Sequence, residues 1–411
     1  MNRRLLVPPF TSFLAGLSLA SLATPSGATT TFQRIARVED VDLAQAVAEP
    51  RMYAFDLSPS GRTLALLVTS GNSLQPARWI LLIDARSGHV LRRCQTWRSA
   101  AAPVSEHYYP PQVLFTPDER FLVVREQEQV KTVDLATLRT VRTLAARDGE
   151  ARVPISICRS SRSSLFAITF GTGTRTAEYE KASVHVEVID VSDGSRRGSW
   201  EADDIPQTLS PDGTLAALSD WNVGGTLLRL RVVNSNSGRT VAVLDGGFRF
   251  NKRDPGRIGG RITGRFVSDD EILLSPDGGW DRSGRYAGGC LRIVHVPDGT
   301  VLRELRRDDG NPFGPTGDAT ISDDGQTVVA VSWYLPPRFY THPHEAPPIG
   351  SGPELLVFLK NREFRSSAIV RPSGAGGRIG GAVLPLGLAS DGSVIAVEEN
   401  FGITVFGLVG P

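Results

Sequence analysis

A pattern of hydrophobic and polar positions recurs along the chain: an apolar run, a polar turn rich in Ser, Asp and Gly, and a second apolar run. Four copies are clear, at residues 57–66, 209–216, 321–329 and 389–395. Three further copies depart more from the pattern, at residues 115–121, 158–165 and 266–272. Because short runs rich in Val, Ile and Leu on both sides of a turn are typical of paired strands, each copy predicts an antiparallel strand pair.

The residue types in each copy are those that favour a tight turn. Ser or Asp at the first position can accept a hydrogen bond from the backbone further along the turn, Pro presets φ, and Gly accepts a positive φ. We therefore expect seven tight turns, and their first polar residues are Ser58, Thr116, Ser160, Ser210, Ser268, Ser322 and Ser390.

A second strand pair follows in most repeats, joined by its own turn. These turns begin with Asp, Asn or Pro, end with Gly, and lie at residues 84–88, 190–194, 234–238 and 297–299. Apolar and charged residues alternate with a period of two at residues 228–232, as in half-buried strands. Since helical periodicity is nearly absent after Pro50, each repeat predicts a four-stranded antiparallel sheet.

Seven such sheets, each burying both faces against its neighbours, predict an all-β fold: a seven-bladed β-propeller. The last repeat offers strands at residues 394–397 and 403–406 and then lacks an outer strand. Residues 31–38 lie just before the first repeat and form a suitable replacement. We predict that this N-terminal strand pairs into the last blade and closes the ring.

The first 28 residues predict a signal peptide. A pair of arginines near the start is followed by an apolar stretch over residues 5–23, and small residues place a cleavage site after Ala23 or Ala28. We therefore expect an exported protein, periplasmic or extracellular, with a single propeller domain over residues 30–411.

An uncleaved membrane anchor is the alternative, but Pro8 and Pro9 interrupt an apolar stretch that is short for a bilayer span. The arginine pair also resembles a twin-arginine signal without the flanking residues of that motif, which favours ordinary secretion. After cleavage we expect no membrane insertion.

Composition and charge exclude several classes. With 40% hydrophobic and 22% charged residues the chain can bury a large core, and its 42 Gly and 27 Pro residues suit many turns. The formal net charge is +1, so no field of one sign exists to hold a polyanion. We expect no nucleic-acid partner.

Three cysteines, Cys94, Cys158 and Cys290, are spaced too widely for a metal-binding motif. Because their number is odd, at least one stays unpaired; whether two of them pair is left open. Cys158 and Cys290 lie in apolar, strand-like runs, which predicts buried thiols.

The turn at residues 209–216, together with the strands that end in Asp-led turns, resembles the WD-repeat-like and YVTN-type propellers of exported bacterial proteins, over roughly residues 30–411. This resemblance implies a seven-bladed disc with a central channel and, often, a binding role, although such propellers include scaffolds, receptors and enzymes. The sequence departs from orthodox WD repeats because its one Trp-Asp pair, at Trp280, is predicted to lie in a loop.

In a propeller, the connections between second and third strands and between sheets share one face, which we call the long-loop face. Here those connections are long, at residues 69–78, 98–110, 171–182, 246–261, 275–289 and 333–354. Aromatic residues and Arg are enriched at binding hot spots, whereas aromatics also commonly pack long loops down. The candidate binding residues are Tyr108, Tyr109, Tyr179, Trp280, Tyr286, Trp333, Tyr334 and Tyr340.

His342 and His344 alternate within the longest of these connections and are followed by Glu345. Two imidazoles on one side of an extended segment could bind a divalent metal, whereas the alternative is a solvated loop without a ligand. The other histidines include His185, which lies in a predicted strand and is expected to be a packing or surface residue.

The sequence thus favours a binding or scaffold module for a protein, peptide or glycan, expected to be monomeric and without a cofactor. The alternative is a propeller hydrolase of lactonase type with a divalent metal over the central channel. No nucleophile elbow, phosphate loop, zinc-protease motif or regular calcium loop is present in the sequence.

Overall fold

The structure is a computed structural model. It describes residues 31–39, 43–48, 50–70, 77–98, 111–126, 128–146, 152–171, 183–220, 227–249, 262–276, 279–280, 286–287, 291–307, 316–334, 352–360, 363, 365–370, 386–399 and 402–409.

The chain folds into a ring of seven four-stranded antiparallel blades and is a seven-bladed β-propeller. Within blades 1 to 6 the strands follow one another in chain order from the innermost to the outermost position. Blade 1 comprises β2 (Arg51–Leu57), β3 (Thr63–Ser70), β4 (Ala77–Asp84) and β5 (Val90–Arg98). Blade 2 comprises β6 (Gln112–Phe115), β7 (Phe121–Glu126), β8 (Gln129–Asp134) and β9 (Thr140–Ala146). Blade 3 comprises β10 (Val153–Arg159), β11 (Leu165–Gly171), β12 (Val184–Asp190) and β13 (Arg196–Ala202).

The next three blades repeat this order. Blade 4 comprises β14 (Pro206–Leu209), β15 (Leu215–Asp220), β16 (Leu227–Asn234) and β17 (Thr240–Arg249). Blade 5 comprises β18 (Ile262–Phe266), β19 (Glu271–Pro276), β22 (Leu291–His295) and β23 (Val301–Arg307), with a small hairpin of β20 (Gly279–Trp280) and β21 (Tyr286–Ala287) between its second and third strands. Blade 6 comprises β24 (Thr316–Ile321), β25 (Thr327–Tyr334), β26 (Gly352–Leu359) and β27 (Arg365–Val370).

Blade 7 closes the ring with a strand from each end of the chain. Its inner strands are β28 (Leu386–Leu388), β29 (Val394–Glu399) and β30 (Gly402–Val409), and its outermost strand is β1 (Thr31–Glu39), which pairs antiparallel with β30. The N-terminal strand predicted from the sequence is therefore confirmed.

The hydrophobic core is divided among the blade interfaces. Among the described residues, seven clusters of buried apolar side chains each join two neighbouring blades, and together they go once around the ring. In β3, for example, Leu64, Leu66 and Val68 pack toward blade 7, whereas Ala65 and Leu67 pack toward blade 2. Because both faces of a blade are buried, inner strands have continuous apolar runs instead of strict alternation.

The outer strands of blades 5 and 6 are also paired. Arg306 and Arg307 at the end of β23 pair in parallel with Arg365 and Ser366 of β27. The two blades therefore share one eight-stranded sheet in addition to their common core. No helix in the described part of the chain is both long and apolar enough to span a bilayer.

Candidate functional site

One end of the propeller carries the tight turns, and we call it the turn face: it consists of the turns between first and second strands and between third and fourth strands. In the first turn of blade 4, Ser210 Oγ donates to Asp212 Oδ1 (2.6 Å) and accepts the Leu215 backbone N–H (2.9 Å). Asp212 Oδ1 also accepts the backbone N–H of Thr214 (2.9 Å). The polar groups of this turn thus satisfy one another.

The same network recurs around the turn face. Its hydroxyl-to-carboxylate bond is found in three further blades, at Thr116–Asp118 (2.6 Å), Ser268–Asp270 (2.6 Å) and Ser322–Asp324 (2.5 Å). The turns between third and fourth strands use an analogous device: Asp84 Oδ1 accepts the backbone N–H of Ser87 (2.7 Å). This backbone bond, with the Ser87 hydroxyl, holds the pKa of Asp84 below its usual value.

First turns of neighbouring blades are also bonded to each other. Ser160 Oγ donates to the Pro211 carbonyl (2.6 Å), and the Asp212 backbone N–H donates to Asp269 Oδ1 (2.8 Å). The ring closes in the same way, because the Ser390 backbone N–H donates to the Pro59 carbonyl (2.8 Å). Many hydrogen-bonding groups of the turn face are therefore paired with other groups of the same protein.

An arginine and a carboxylate tie three inner strands together near this face. Arg159 Nη1 donates to Asp56 Oδ2 (2.5 Å) and to the Phe115 carbonyl (2.8 Å), while the Phe115 N–H donates to Asp56 Oδ2 (2.8 Å). These residues belong to blades 3, 1 and 2. Burial raises the pKa of Asp56, and the Arg159 charge opposes that shift only in part.

A second arginine reaches across the ring. Arg162, in the first turn of blade 3, donates to the backbone carbonyl of Asp323 in the first turn of blade 6. Burial raises the pKa of Asp323, whose carboxylate accepts a bond from the Ser390 hydroxyl. Since blades 3 and 6 lie on opposite sides of a seven-membered ring, this contact bridges the central channel at the turn face.

The opposite end is the long-loop face predicted from the sequence. The strand order places there the connections that follow the second strand and the last strand of each blade. The longest of these span residues 99–111, 172–183, 250–261, 277–290, 335–351 and 371–385.

Four of the eight candidate aromatics have a described backbone position. Trp280 pairs with Tyr286 in the hairpin of β20 and β21, within the connection between β19 and β22. Trp333 and Tyr334 end β25 and lie opposite residues of β26, so they continue a strand at its long-loop end. Outside the described residues lie Tyr108, Tyr109, Tyr179, Tyr340 and the two histidines of the metal hypothesis, His342 and His344.

The described residues include two cysteines but no cluster of side chains that could hold a metal ion. Cys94 is half-buried and Cys158 is buried, both as free thiols, and burial raises the pKa of Cys158 to about 12. Cys290 lies outside the described range. Over the described positions, no group of three or more His, Cys, Asp and Glu side chains has an arrangement for a metal ion.

One group of polar residues was overlooked in the sequence. His185, expected to be a packing or surface residue, lies in β12 beside Ser199 and Glu201 of β13. A signal existed: His-x-Glu and Ser-x-Glu stand on two strands joined by a tight turn, and alternate residues of paired strands share a face.

Comparison with known proteins supports the fold and does not identify a function. No protein-family model and no curated protein matches the sequence. Many solved structures are similar in fold, and three examples each cover most of this chain. Hydrazine synthase of Kuenenia stuttgartiensis has 16% identity and a TM-score of 0.52, with 87% of this chain and 96% of that chain covered. The β-propeller domain of Cps50 (Swd1) from Myceliophteria thermophila has 11% identity and a TM-score of 0.51, with 93% and 100% covered. Oligogalacturonate lyase of Vibrio parahaemolyticus has 11% identity and a TM-score of 0.50, with 92% and 97% covered.

Proposed function

We propose that this protein is an exported binding module of the WD-repeat-like or YVTN type, which holds a protein, peptide or glycan ligand on its long-loop face. The observation that carries this proposal is the contrast between the two ends of the propeller. The turn face uses its polar groups within and between turns, and Arg162 bridges the channel there. The long connections and the candidate aromatics belong to the other end.

Aromatic side chains support recognition at that end because they contribute large contact areas with little rotamer entropy. The Trp280–Tyr286 pair and the two aromatics that end β25 stand on strand backbones, which limits the entropy lost on binding. Signal-peptide cleavage after Ala23 or Ala28 would leave β1 intact, so the exported form keeps the closing strand.

Binding to arrays of defined oligosaccharides and peptides tests the proposal. Three forms are compared: the unchanged protein, a variant lacking residues 336–348, and a turn-face control carrying Arg86→Ala and Arg239→Ala. We expect the loop variant to lose at least about tenfold in affinity for the retained probes, equivalent to about 1.4 kcal/mol. The control should bind like the unchanged protein.

Two results would contradict the proposal. One is a loop-deleted protein that folds, as judged by its unfolding midpoint, and keeps every probe. The other is an unchanged protein that retains no probe more strongly than the heat-denatured protein does.

A further inference from the structure

A row of polar side chains crosses the outer half of blade 3 toward its long-loop end. Phe170 of β11 lies opposite His185 of β12, which lies opposite Glu201 of β13. Two residues further along β12, Glu187 lies opposite Ser199 of β13. Since alternate residues share a sheet face, these side chains stand on the same face of the blade, the one whose apolar part packs against blade 2.

The contacts in this row connect a hydroxyl, an imidazole and a carboxylate. Ser199 Oγ lies 3.1 Å from His185 Nε2, and His185 Nδ1 lies 2.6 Å from Glu201 Oε1. Ser183 Oγ donates to the second carboxylate oxygen of Glu201 (3.4 Å). The imidazole is packed against the Phe170 ring with the centroids 6.0 Å apart, which restricts its rotation.

We propose that Ser199, His185 and Glu201 form an acyl-transfer site that hydrolyses carboxylic esters. A serine within hydrogen-bonding distance of a base that a third group orients is the geometric signature of an activated nucleophile, whatever the fold. This activity goes beyond ligand binding at the long-loop face and does not depend on it.

The contacts assign a role to each group. Glu201 accepts the Nδ1 proton of His185 and so leaves the lone pair of Nε2 facing the Ser199 hydroxyl. Ser199 Oγ bonds to the ester carbonyl carbon as its proton moves to Nε2. The imidazolium then gives that proton to the departing alcohol as the ester C–O bond breaks. Water, activated in the same way by Nε2, cleaves the acyl-serine to the acid and restores the hydroxyl.

A second carboxylate stands near Nε2 and has its own partners. Glu187 Oε1 lies 3.4 Å from His185 Nε2, but it is also 2.9 Å from Arg152 Nη2 and 3.3 Å from Arg196 Nη1. Two guanidinium groups thus satisfy this carboxylate, which leaves Ser199 as the shorter contact of Nε2. Glu187 lies opposite Ser199 in the strand register, so both arginines bring positive charge to the same row of side chains.

The strand that carries the nucleophile is both accessible and rigid. In the described sheet β13 is the outermost strand of its blade, so alternate backbone N–H groups around Ser199 point away from β12 and can donate to an oxyanion. Trp200 Nε1 donates to the Ser235 carbonyl of blade 4 (2.7 Å), and Gly198 lies against Asn236, where a Cβ would approach Asn236 Cα to 2.5 Å. These contacts fix β13 against blade 4.

Labelling with a fluorophosphonate probe tests the site, with the modified serine located by peptide mass spectrometry. Hydrolysis of p-nitrophenyl acetate gives the second readout. We compare the unchanged protein with Ser199→Ala, His185→Gln and Ser195→Ala. Ser195 is the matched control because its Oγ also contacts a carboxylate, Asp193 Oδ1 (2.6 Å), but none of the described histidines contacts it.

The expected result is label on Ser199 that Ser199→Ala abolishes and that His185→Gln slows by about 100-fold or more. Ser195→Ala should keep both labelling and hydrolysis. Glu201→Gln should lower kcat with KM unchanged, as expected for a positioning residue. Absence of label at Ser199, or labelling that His185→Gln does not slow, would overturn the proposal.

Discussion

Single turn residues offer the sharpest test of the repeat. Gly325 and Gly392 occupy the same position in the first turns of blades 6 and 7, with φ of +68° and +69°. A Cβ on Gly325 would meet Val267 at an ordinary 3.4 Å, whereas a Cβ on Gly392 would lie 2.6 Å from Thr327 Cβ. Gly325→Ala should therefore destabilise the fold by about 1–2 kcal/mol through backbone strain alone. Gly392→Ala should cost at least about 1 kcal/mol more because of the overlap.

Urea unfolding of both variants measures the difference, and Gly325→Ala serves as the control for backbone strain. Equal losses of stability in the two variants would mean that the blade 7 turn shifts to accept the methyl group. That outcome would contradict close packing between the turns of blades 6 and 7.

The sequence predicts where these turns lie, but it does not predict how a turn without Gly is stabilised. Glu119 has a φ of +53° where the clearer repeats have Gly, and its carboxylate bonds to Ser60 of the neighbouring turn (Oγ to Oε2, 3.0 Å). Spacing and flanking apolar runs were sufficient to recognise this copy. Its compensating contact joins two blades, so no local pattern could indicate it.

At the scale of elements, inner strands are joined by side-chain amides. Gln207 of β14 accepts the Gly264 N–H (2.9 Å) and donates to the Ile262 carbonyl (3.2 Å), both in β18 of the next blade. Gln112 of β6 bonds the Ile157 N–H in the same way (2.9 Å). These bonds satisfy backbone groups at inner edges, where strand pairing ends.

Gln207→Met should therefore lower the free energy of unfolding by about 1–3 kcal/mol, because it keeps the side-chain length but leaves the Gly264 N–H and the Ile262 carbonyl without this partner. Gln129→Met, at an exposed position in β8, is the control and should change stability little. Chemical denaturation of the two variants measures both effects. A loss no larger than that of the control would mean that water replaces the amide.

Strands were predictable because each blade is built from neighbours in sequence, and the apolar runs at residues 79–83, 184–189 and 228–233 lie within β4, β12 and β16. Contacts between segments that are distant in the sequence were not predictable. Arg159 and Asp56 are 103 positions apart, and nothing in the local pattern of either indicates the other. The pairing of β23 with β27 was unpredictable for the same reason, since it joins the outer strands of two separate repeats.

The predicted binding face could be located from the sequence, but its local structure could be predicted only in part. Strand alternation fixes which connections share an end of the propeller, so the location of the long-loop face follows from the repeat. The pattern also predicted Trp280 in a loop, and the structure places it in a two-residue strand within that connection. Pairing in so short a hairpin has too few residues to produce a periodic signal.

At the scale of the whole molecule, ring closure depends on β1. Its side chains divide between two interfaces: Phe32 packs with blade 6, whereas Ala36 and Val38 pack with blade 1. Val38 is 2% exposed. One strand thus covers the outer part of blade 7 on both faces and pairs with β30 along its length.

A form that begins at residue 31 should therefore unfold like the full-length mature protein, whereas a form that begins at residue 40 should lose cooperative unfolding. The second truncation exposes the edge of β30 and opens two core clusters, which removes several kilocalories per mole of apolar burial by the usual rate of about 25 cal/mol per Å². Differential scanning calorimetry of both forms checks this. Val38→Asp is a point-substitution version of the same test, and Gln33→Asp at an exposed position of the same strand is its control. If the form starting at residue 40 melts at the temperature of the longer one, the ring is closed by blade 7 alone and β1 is dispensable.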